Sequence, residues 1–543
     1  MIHQKLSYLS ADRDRTQYPY NAEPRTPEAS MPKYSPAPME TVRINMRDGV
    51  HIELDICRPA GPGKFPALVG CSPYGKYIQH TPIDQVNNEA GDIDFWVRRG
   101  YVHVVFDVRG SGQSGGVLSF LGEPEQKDGA EVIEWVAQQP WCSGNVGMIG
   151  MSYFGVIQYL VAAQQPPSLK AIFPYDGWTD LYREYLNNGG LNVMGFDAAM
   201  TYFVARNNLA PGIPQDRLEA LLEYCRIQMN QVYPNDGPYF WERSSYNKMD
   251  RIKVPVNAAA GWYSMGMHLR GAFTAWEKLR TPKRLFIAGK NVPARPWMSF
   301  HIEARRWYDH YLKGMDSGIL EGPPVNIYTL GAEEWRGYAD WPLPGTKWTE
   351  MYLASNGWGE GQLLYSRPDR TSEQKFTTDP ESRERLLGLP ALVYRTEPFD
   401  ADTHIAGPLA LYLLGAADQP DTHWIVKVLD EAAEGRTRVL SKGWLRGSHR
   451  GIDPARSKPY QPWHPHLDRE QLIPNQPTEF PIEIWPFANV FKRGHRLRME
   501  ISACDSPGFD FAFGHYAYGR IVTNTVFEGG TNGSKLLVPM IPS

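Results

Sequence analysis

No run of about eighteen consecutive apolar residues occurs in the 543-residue chain, so it lacks the raw material for a membrane-spanning helix. The N-terminal stretch MIHQKLSYLSADRDRTQYPY has no apolar core of the kind a secretory signal needs. Cysteine is sparse: Cys57, Cys71, Cys142, Cys225 and Cys504 are widely spread and contain no CxxC pair. A disulfide framework or cysteine zinc site is therefore not expected, and reduced buried thiols are. An excess of one charge is also missing. A formal net charge of −4 provides no basic surface for nucleic acid or for an anionic membrane. No glycine-rich phosphate loop follows the first strand and no spaced His/Asp/Glu set suggests a metal, so no cofactor and no metal are expected. These absences leave a cytoplasmic protein whose partner is a small-molecule substrate.

A chain of this length is too long for one compact core, and two or three domains are expected. Aromatics make up 12% of it, a level that suits β-rich packing and apolar pockets. Residues 1–38 are polar and proline-rich and read as an extended arm, either a free tail or a strap around a neighbouring subunit, which leaves a homo-oligomer open. From Thr41 short β-branched runs suggest strands, with Met46-Arg47-Asp48-Gly49 as a tight turn. An alternation of helix and strand follows: DFWVRRG, YVHVVFDV, KDGAEVIEWVAQQ, NVGMIGMS, YFGVIQYLVAAQQ, LKAIFPYDG. Continuous apolar strands imply burial on both faces, hence a parallel, doubly wound α/β sheet.

Residues 178–245 interrupt this pattern with helical stretches rich in Tyr, Asn and Met, and read as a helical cap over the carboxyl edge of the sheet. The sheet pattern resumes over 246–320 with VPVNAAAGWY and RLFIAGK, completing the domain begun at 39–177. Beyond 321 alternating strands dominate to the end at 543, and an all-β jelly-roll domain is expected.

The strongest chemical signal is Gly150-Met151-Ser152-Tyr153-Phe154-Gly155, a G-x-S-x-x-G between a strand and a helix. A strand turning sharply into a helix strains the serine, and small flanking residues let the two elements approach. The helix start supplies N–H groups and a positive dipole end to an oxyanion formed at Ser152.

These residues, with MRDGVHIELDICRPAGPGKFPALVGCSPYGKY, GYVHVVFDVRGSGQSGG, RWYDHYLKG and FKRGHRLRMEISACDSPGFD, resemble the cocaine-esterase, NonD and X-prolyl dipeptidyl-peptidase family of α/β-hydrolases. The resemblance covers roughly residues 40–520. It implies Ser152 as nucleophile, with an oxyanion hole made of the Tyr74 hydroxyl and the Tyr153 N–H. Two donors of this kind contribute on the order of a few kcal/mol each. Asp107 in FDVRGSG matches a structural aspartate of the family, expected to pair with Arg109.

The family pattern breaks at both remaining partners. Its acid stands in G-W-Y-D, where this chain reads Gly261-Trp262-Tyr263-Ser264, and Ser264 cannot carry the charge that orients an imidazolium. Its base follows the strand RLFI, where Ala288-Gly289-Lys290-Asn291-Val292 holds no histidine. His301 is the first candidate for a relocated base and His268 a second. Asp176 in PYDGW, a stretch similar to one in the α-amino-acid ester hydrolases, either binds a cation, orients a base or caps the next helix. Trp178 and Trp262, from the same two motifs, join Asp176, Ser264 and His268 as candidate substrate-binding residues. Three functions compete on this pattern. The first is an acyl hydrolase or transferase with a rewired triad, acting on a small ester, amide or lactone. The second is a non-hydrolytic cyclase, lyase or isomerase using the same oxyanion hole, and the third is a binding-only protein.

Overall fold

The structure is a computed structural model that describes residues 28–542 apart from 82–87, 210, 230–231, 290–297, 356–359, 383–390, 507–512 and 516–519. Most of the expected N-terminal arm, residues 1–27, lies outside the described residues. From Glu28 onward the arm is pinned to the body: the Ser30 N–H donates to buried Asp309, and the Lys33 N–H to the Arg98 carbonyl.

Antiparallel β1 (Glu40–Asn45) and β2 (His51–Cys57) meet at the expected turn, where Gly49 takes φ 81°. The chain then alternates through β3 (Phe65–Ser72), α1 (Ile93–Arg98), β4 (Val102–Asp107), α2 (Glu123–Ala137), β5 (Cys142–Met148), α3 (Tyr153–Ala162) and β6 (Leu169–Ile172). Every residue of β4 is buried, as its unbroken apolar run requires of a strand covered on both faces. The cap adds a short hairpin, β7 (Asn187–Asn188) and β8 (Leu191–Asn192), then α4 (Met194–Asn208) and α5 (Gln215–Gln228). The sheet resumes with β9 (Val256–Gly261), followed by α6 (Leu269–Lys278), β10 (Lys283–Ala288) and α7 (Met298–Lys313).

The strand order is β1-β2-β4-β3-β5-β6-β9-β10, extended by β11 (Val325–Thr329) and β12 (Glu334–Tyr338). From β4 to β11 neighbours run parallel. The order reverses between β3 and β5, and such a reversal opens a crevice at the carboxyl ends of the strands. The first sheet thus runs past residue 321, where the change to the all-β domain was expected. The alternating runs at 325–329 and 334–338 look the same whichever sheet they join; hydrogen bonding to β10 puts them in the first. From Lys347 to Met540 the described strands form a second, eleven-stranded sheet, whose long antiparallel pair is Thr403–Ala417 with Thr478–Phe491. Among the described residues no helix is long and apolar enough to cross a membrane.

One arginine ties the three parts together. Arg270, on the buried face of α6, donates to Glu184 of the cap at 2.9 Å and to Glu483 of the all-β domain at 3.0 Å. Removing one partner of a buried ionic cluster leaves the others uncompensated. Arg270→Ala is expected to lower unfolding free energy by about 3–5 kcal/mol in denaturant titration.

Candidate active site

β5 ends at Met148, and four residues later Ser152 caps α3 with φ 56° and ψ −122°. That is left-handed backbone, strained for any residue with a Cβ. The neighbours explain how it is held. A Cβ on Gly150 would lie 2.8 Å from the Glu89 carbonyl oxygen, and one on Gly155 would lie 2.5 Å from that of Tyr175. Both positions therefore demand glycine. The Ser152 N–H donates to the Tyr175 carbonyl at 3.1 Å, and Tyr175 bridges Met151 on one side and Ala259 on the other. The elbow thus rests on the extension of β6. Ser152 is buried, and its Oγ makes no hydrogen bond among the described residues.

Tyr74 lies two residues past β3, beside the order reversal. Its ring meets that of Tyr153 edge-on at 5.7 Å, and its hydroxyl lies 3.8 Å from the Met200 sulfur of α4. Tyr153 opens α3, where the first N–H groups lack intrahelical acceptors. Its side chain is anchored from below: the hydroxyl donates to Glu125 Oε1 at 2.5 Å, while the Leu121 N–H reaches Glu125 and the Tyr153 oxygen together. Burial pushes the Glu125 carboxyl up to about 7, against the lowering effect of those donors. Sequence reasoning missed Glu125, since an acid in the first turn of a helix is ordinary.

The carboxyl end of β9 surrounds Asp176. Its Oδ1 accepts from the Gly261 N–H at 3.2 Å and from the Ser264 hydroxyl at 3.1 Å, and its Oδ2 accepts from the Tyr263 hydroxyl. Asp176 is fully buried, with φ 47°. Ser264, standing where the family has its acid, thus addresses a carboxylate on the adjacent strand. His268 lies one turn past Ser264, its N–H donating to the Ser264 carbonyl at 3.1 Å, and its ring stacks on Trp178 at 5.5 Å. Trp178 also stacks on Tyr185 of the cap at 4.8 Å.

Three expectations need correction. His301 does not reach the nucleophile. It is wholly buried among Phe95, Trp96 and Phe300, in the cluster that also holds Met151 and Tyr175, and its hydrogen bond goes to the start of α1 and not to Ser152. There it stacks on Phe95 at 4.8 Å, and its Nε2 accepts from the Asp92 N–H at 3.1 Å. Burial, with His103 and Arg99 nearby, holds its imidazole well below the usual histidine range, so it packs rather than accepts protons. The Lys290-Asn291-Val292 and Arg295-Pro296-Trp297 stretches that suggested it lie outside the described residues. Trp262 has a packing role: its indole N–H donates to the Tyr328 carbonyl and its ring stacks on Phe273. Asp107 does not pair with Arg109, which is taken by Asp128 and Asp48; Asp107 instead accepts the Lys76 N–H at 2.7 Å.

This strand order, with a strained serine at its reversal and an all-β domain appended, defines an enzyme of the α/β-hydrolase fold. Residues 48–291 match the X-Pro dipeptidyl-peptidase (S15 family), and residues 318–537 match the X-Pro dipeptidyl-peptidase C-terminal non-catalytic domain. Together the two matches span most of the chain, which belongs to this hydrolase family. Cocaine esterase of Rhodococcus sp. (strain MB1 Bresler) is 27% identical over 86% of this chain and 91% of its own. A CocE/NonD family hydrolase from Staphylococcus aureus superposes with TM-score 0.80 at 26% identity, covering 93% of each chain. An α-amino acid ester hydrolase shares the fold, with TM-score 0.75 at 19% identity over 96% of this chain and 99% of its own.

Two outcomes follow from the elbow. The raised Glu125 carboxyl stabilises the fold in its neutral form, fully below about pH 4.5, and this is lost as pH rises through 7. The loss amounts to roughly 3 kcal/mol. Thermal melts of Glu125→Gln between pH 5 and 8 are expected to lack that downward slope. Gly155→Ala forces a Cβ against backbone and is expected to cost about 1–3 kcal/mol in the same melts, with loss of any Ser152-dependent turnover.

Proposed function

We propose that the chain is a Ser152-dependent acyl hydrolase or acyl transferase acting on a small ester, amide or lactone, with Asp176 as its acid and His268 as its base. The observation that carries this reading is the set of donors on Asp176 from the end of β9: the Gly261 N–H, the Tyr263 hydroxyl, and a Ser264 hydroxyl shared with the Gly261 carbonyl. Hydrogen bonds to the charged form favour a carboxylate, so the missing acid is replaced from the neighbouring strand. His268 is supported by its place one turn past Ser264 and against Trp178.

In this mechanism Ser152 Oγ attacks the acyl carbonyl while His268 takes its proton, and the negative charge of Asp176 favours the resulting imidazolium. The carbonyl oxygen becomes an oxyanion that accepts from the Tyr74 hydroxyl and the Tyr153 N–H. Collapse breaks the bond to the leaving alcohol or amine, which takes the proton back from His268. Water, or a second nucleophile in a transferase, then attacks the acyl-enzyme by the same route.

The Ser152 hydroxyl, which has no hydrogen bond among the described residues, favours a second reading, in which the oxyanion hole stabilises an enolate in a non-hydrolytic reaction. A fluorophosphonate probe and a p-nitrophenyl ester separate the two. The hydrolase reading expects stoichiometric labelling that is lost in Ser152→Ala, and turnover reduced roughly ten-thousand-fold in Asp176→Asn and comparably in His268→Ala. Folded protein that neither labels nor turns over the ester overturns it. Turnover retained within about tenfold in Asp176→Asn removes that residue from the triad.

A further inference from the structure

We infer that Glu125 is a positioning residue of the oxyanion hole: its bond to the Tyr153 hydroxyl holds the Tyr153 N–H and the Tyr74 hydroxyl in place together. This deepens the proposed function and rests on it, since the two donors matter only if Ser152 forms an oxyanion.

Glu125 stands in the first turns of α2 and Tyr153 opens α3, and both are buried. Three bonds close a ring between them. The Tyr153 hydroxyl donates to Glu125 Oε1 at 2.5 Å, and the Leu121 N–H is shared between Glu125 Oε2 at 3.1 Å and the Tyr153 oxygen at 3.2 Å. Burial, with the carboxylate beside it, pushes the Tyr153 phenol well above its usual range, so it stays a donor. The Tyr153 ring in turn packs edge-on against the Tyr74 ring at 5.7 Å and against Phe120 at 5.6 Å. One phenol bond therefore steadies the residue that carries the first oxyanion donor and the ring that seats the second. Ser152, at φ 56°, adjoins this residue, and strained backbone persists only where its surroundings over-determine it. An acid that merely served the helix dipole would lie exposed, as Glu123 does two residues earlier.

The bonding pattern requires a carboxylate. Its two oxygens offer an acceptor to each donor, whereas a protonated carboxyl turns one of them into a hydroxyl, a poor acceptor for the N–H or phenol that faces it. Burial brings the Glu125 carboxyl up to about 7, so its charge changes within the neutral range. The groups around it are Tyr153 of α3, Cys71 of β3, Asp128 one turn on in α2 and Arg243 of the cap. Tyr153 and Arg243 act to lower it and Asp128 to raise it, with Asp128 itself bonded to Arg109 and Arg47. Ionised Glu125 is the positioning form, so support of the oxyanion strengthens as pH rises through 7, over the interval in which the buried charge costs stability.

Turnover of a p-nitrophenyl ester by the full chain, measured from pH 5.5 to 8.5 in wild type, Glu125→Gln, Tyr153→Phe and the double variant, tests this. Glutamine fixes the neutral bonding pattern, with one acceptor oxygen in place of two. The ratio of wild-type kcat to that of Glu125→Gln is expected to be about ten at pH 8.5 and to fall to about one at pH 5.5, the base common to both dividing out. KM should stay within about twofold, because the donors act on the oxyanion more than on the ground-state carbonyl. Tyr153→Phe should lose about as much, and the double variant no more than either single change. A ratio independent of pH, a loss carried by KM, or losses that add in the double variant overturns the inference, since a side chain that only supports the fold gives those results. Should Glu125→Gln not fold, the ratio of wild type to Tyr153→Phe over the same pH range decides. A folded wild type that neither turns over the ester nor takes the fluorophosphonate label overturns the acyl-hydrolase reading and this inference with it, whereas turnover with a flat ratio overturns the inference alone.

Discussion

The close approach of α3 to the end of β6 is the constraint on which the site depends. Ser152 is held in left-handed backbone because its N–H is tied to Tyr175, and Gly155 and Gly177 let the helix start lie directly on the strand end. A side chain at Gly155 would push against the Tyr175 carbonyl and separate the two elements. The same contact places Asp176, itself at φ 47°, next to the elbow, where the end of β9 can surround it. Strain at Ser152 and strain at Asp176 thus share one support, which is how two sparsely populated conformations persist side by side.

Buried carboxyls around this junction divide according to what faces them. Asp176 receives an N–H, a phenol and a share of the Ser264 hydroxyl, Glu125 a phenol and an N–H, and Asp197 a single amide. Donors compensate the charged form and burial penalises it. Burial brings Glu125 to the middle of the pH scale and pushes Asp197 well above the usual carboxylate range. Groups of one chemical type can therefore differ in charge, because the surroundings decide it.

The cap and the all-β domain contribute walls and not merely cover. Tyr185 and Tyr224 from the cap meet Phe120 from the sheet domain, while Phe513 from the all-β domain packs on Phe196 of the cap and lies against Gly266 just beyond Ser264. Arg270, bonded to both of the added parts, keeps these walls in register.

The order of strands and helices, the elbow at Ser152 and the position of Tyr74 were legible in the sequence, because periodicity and a strand-Gly-Ser-helix turn are local properties of the chain. The loss of the family acid at Ser264 and of its histidine was legible for the same reason. What replaces them was not. Asp176 and Ser264 are far apart in the chain and meet only because β6 and β9 are neighbours in the sheet. His301 offered a Pro-Trp-like preface in sequence, yet α7 packs it against Phe95 and Trp96. Sequence by itself determined which backbone turns could form and which side chains were on hand. Tertiary structure decided which of them share a solvent-free space, and only there does a carboxylate's charge depend on neighbours from distant segments.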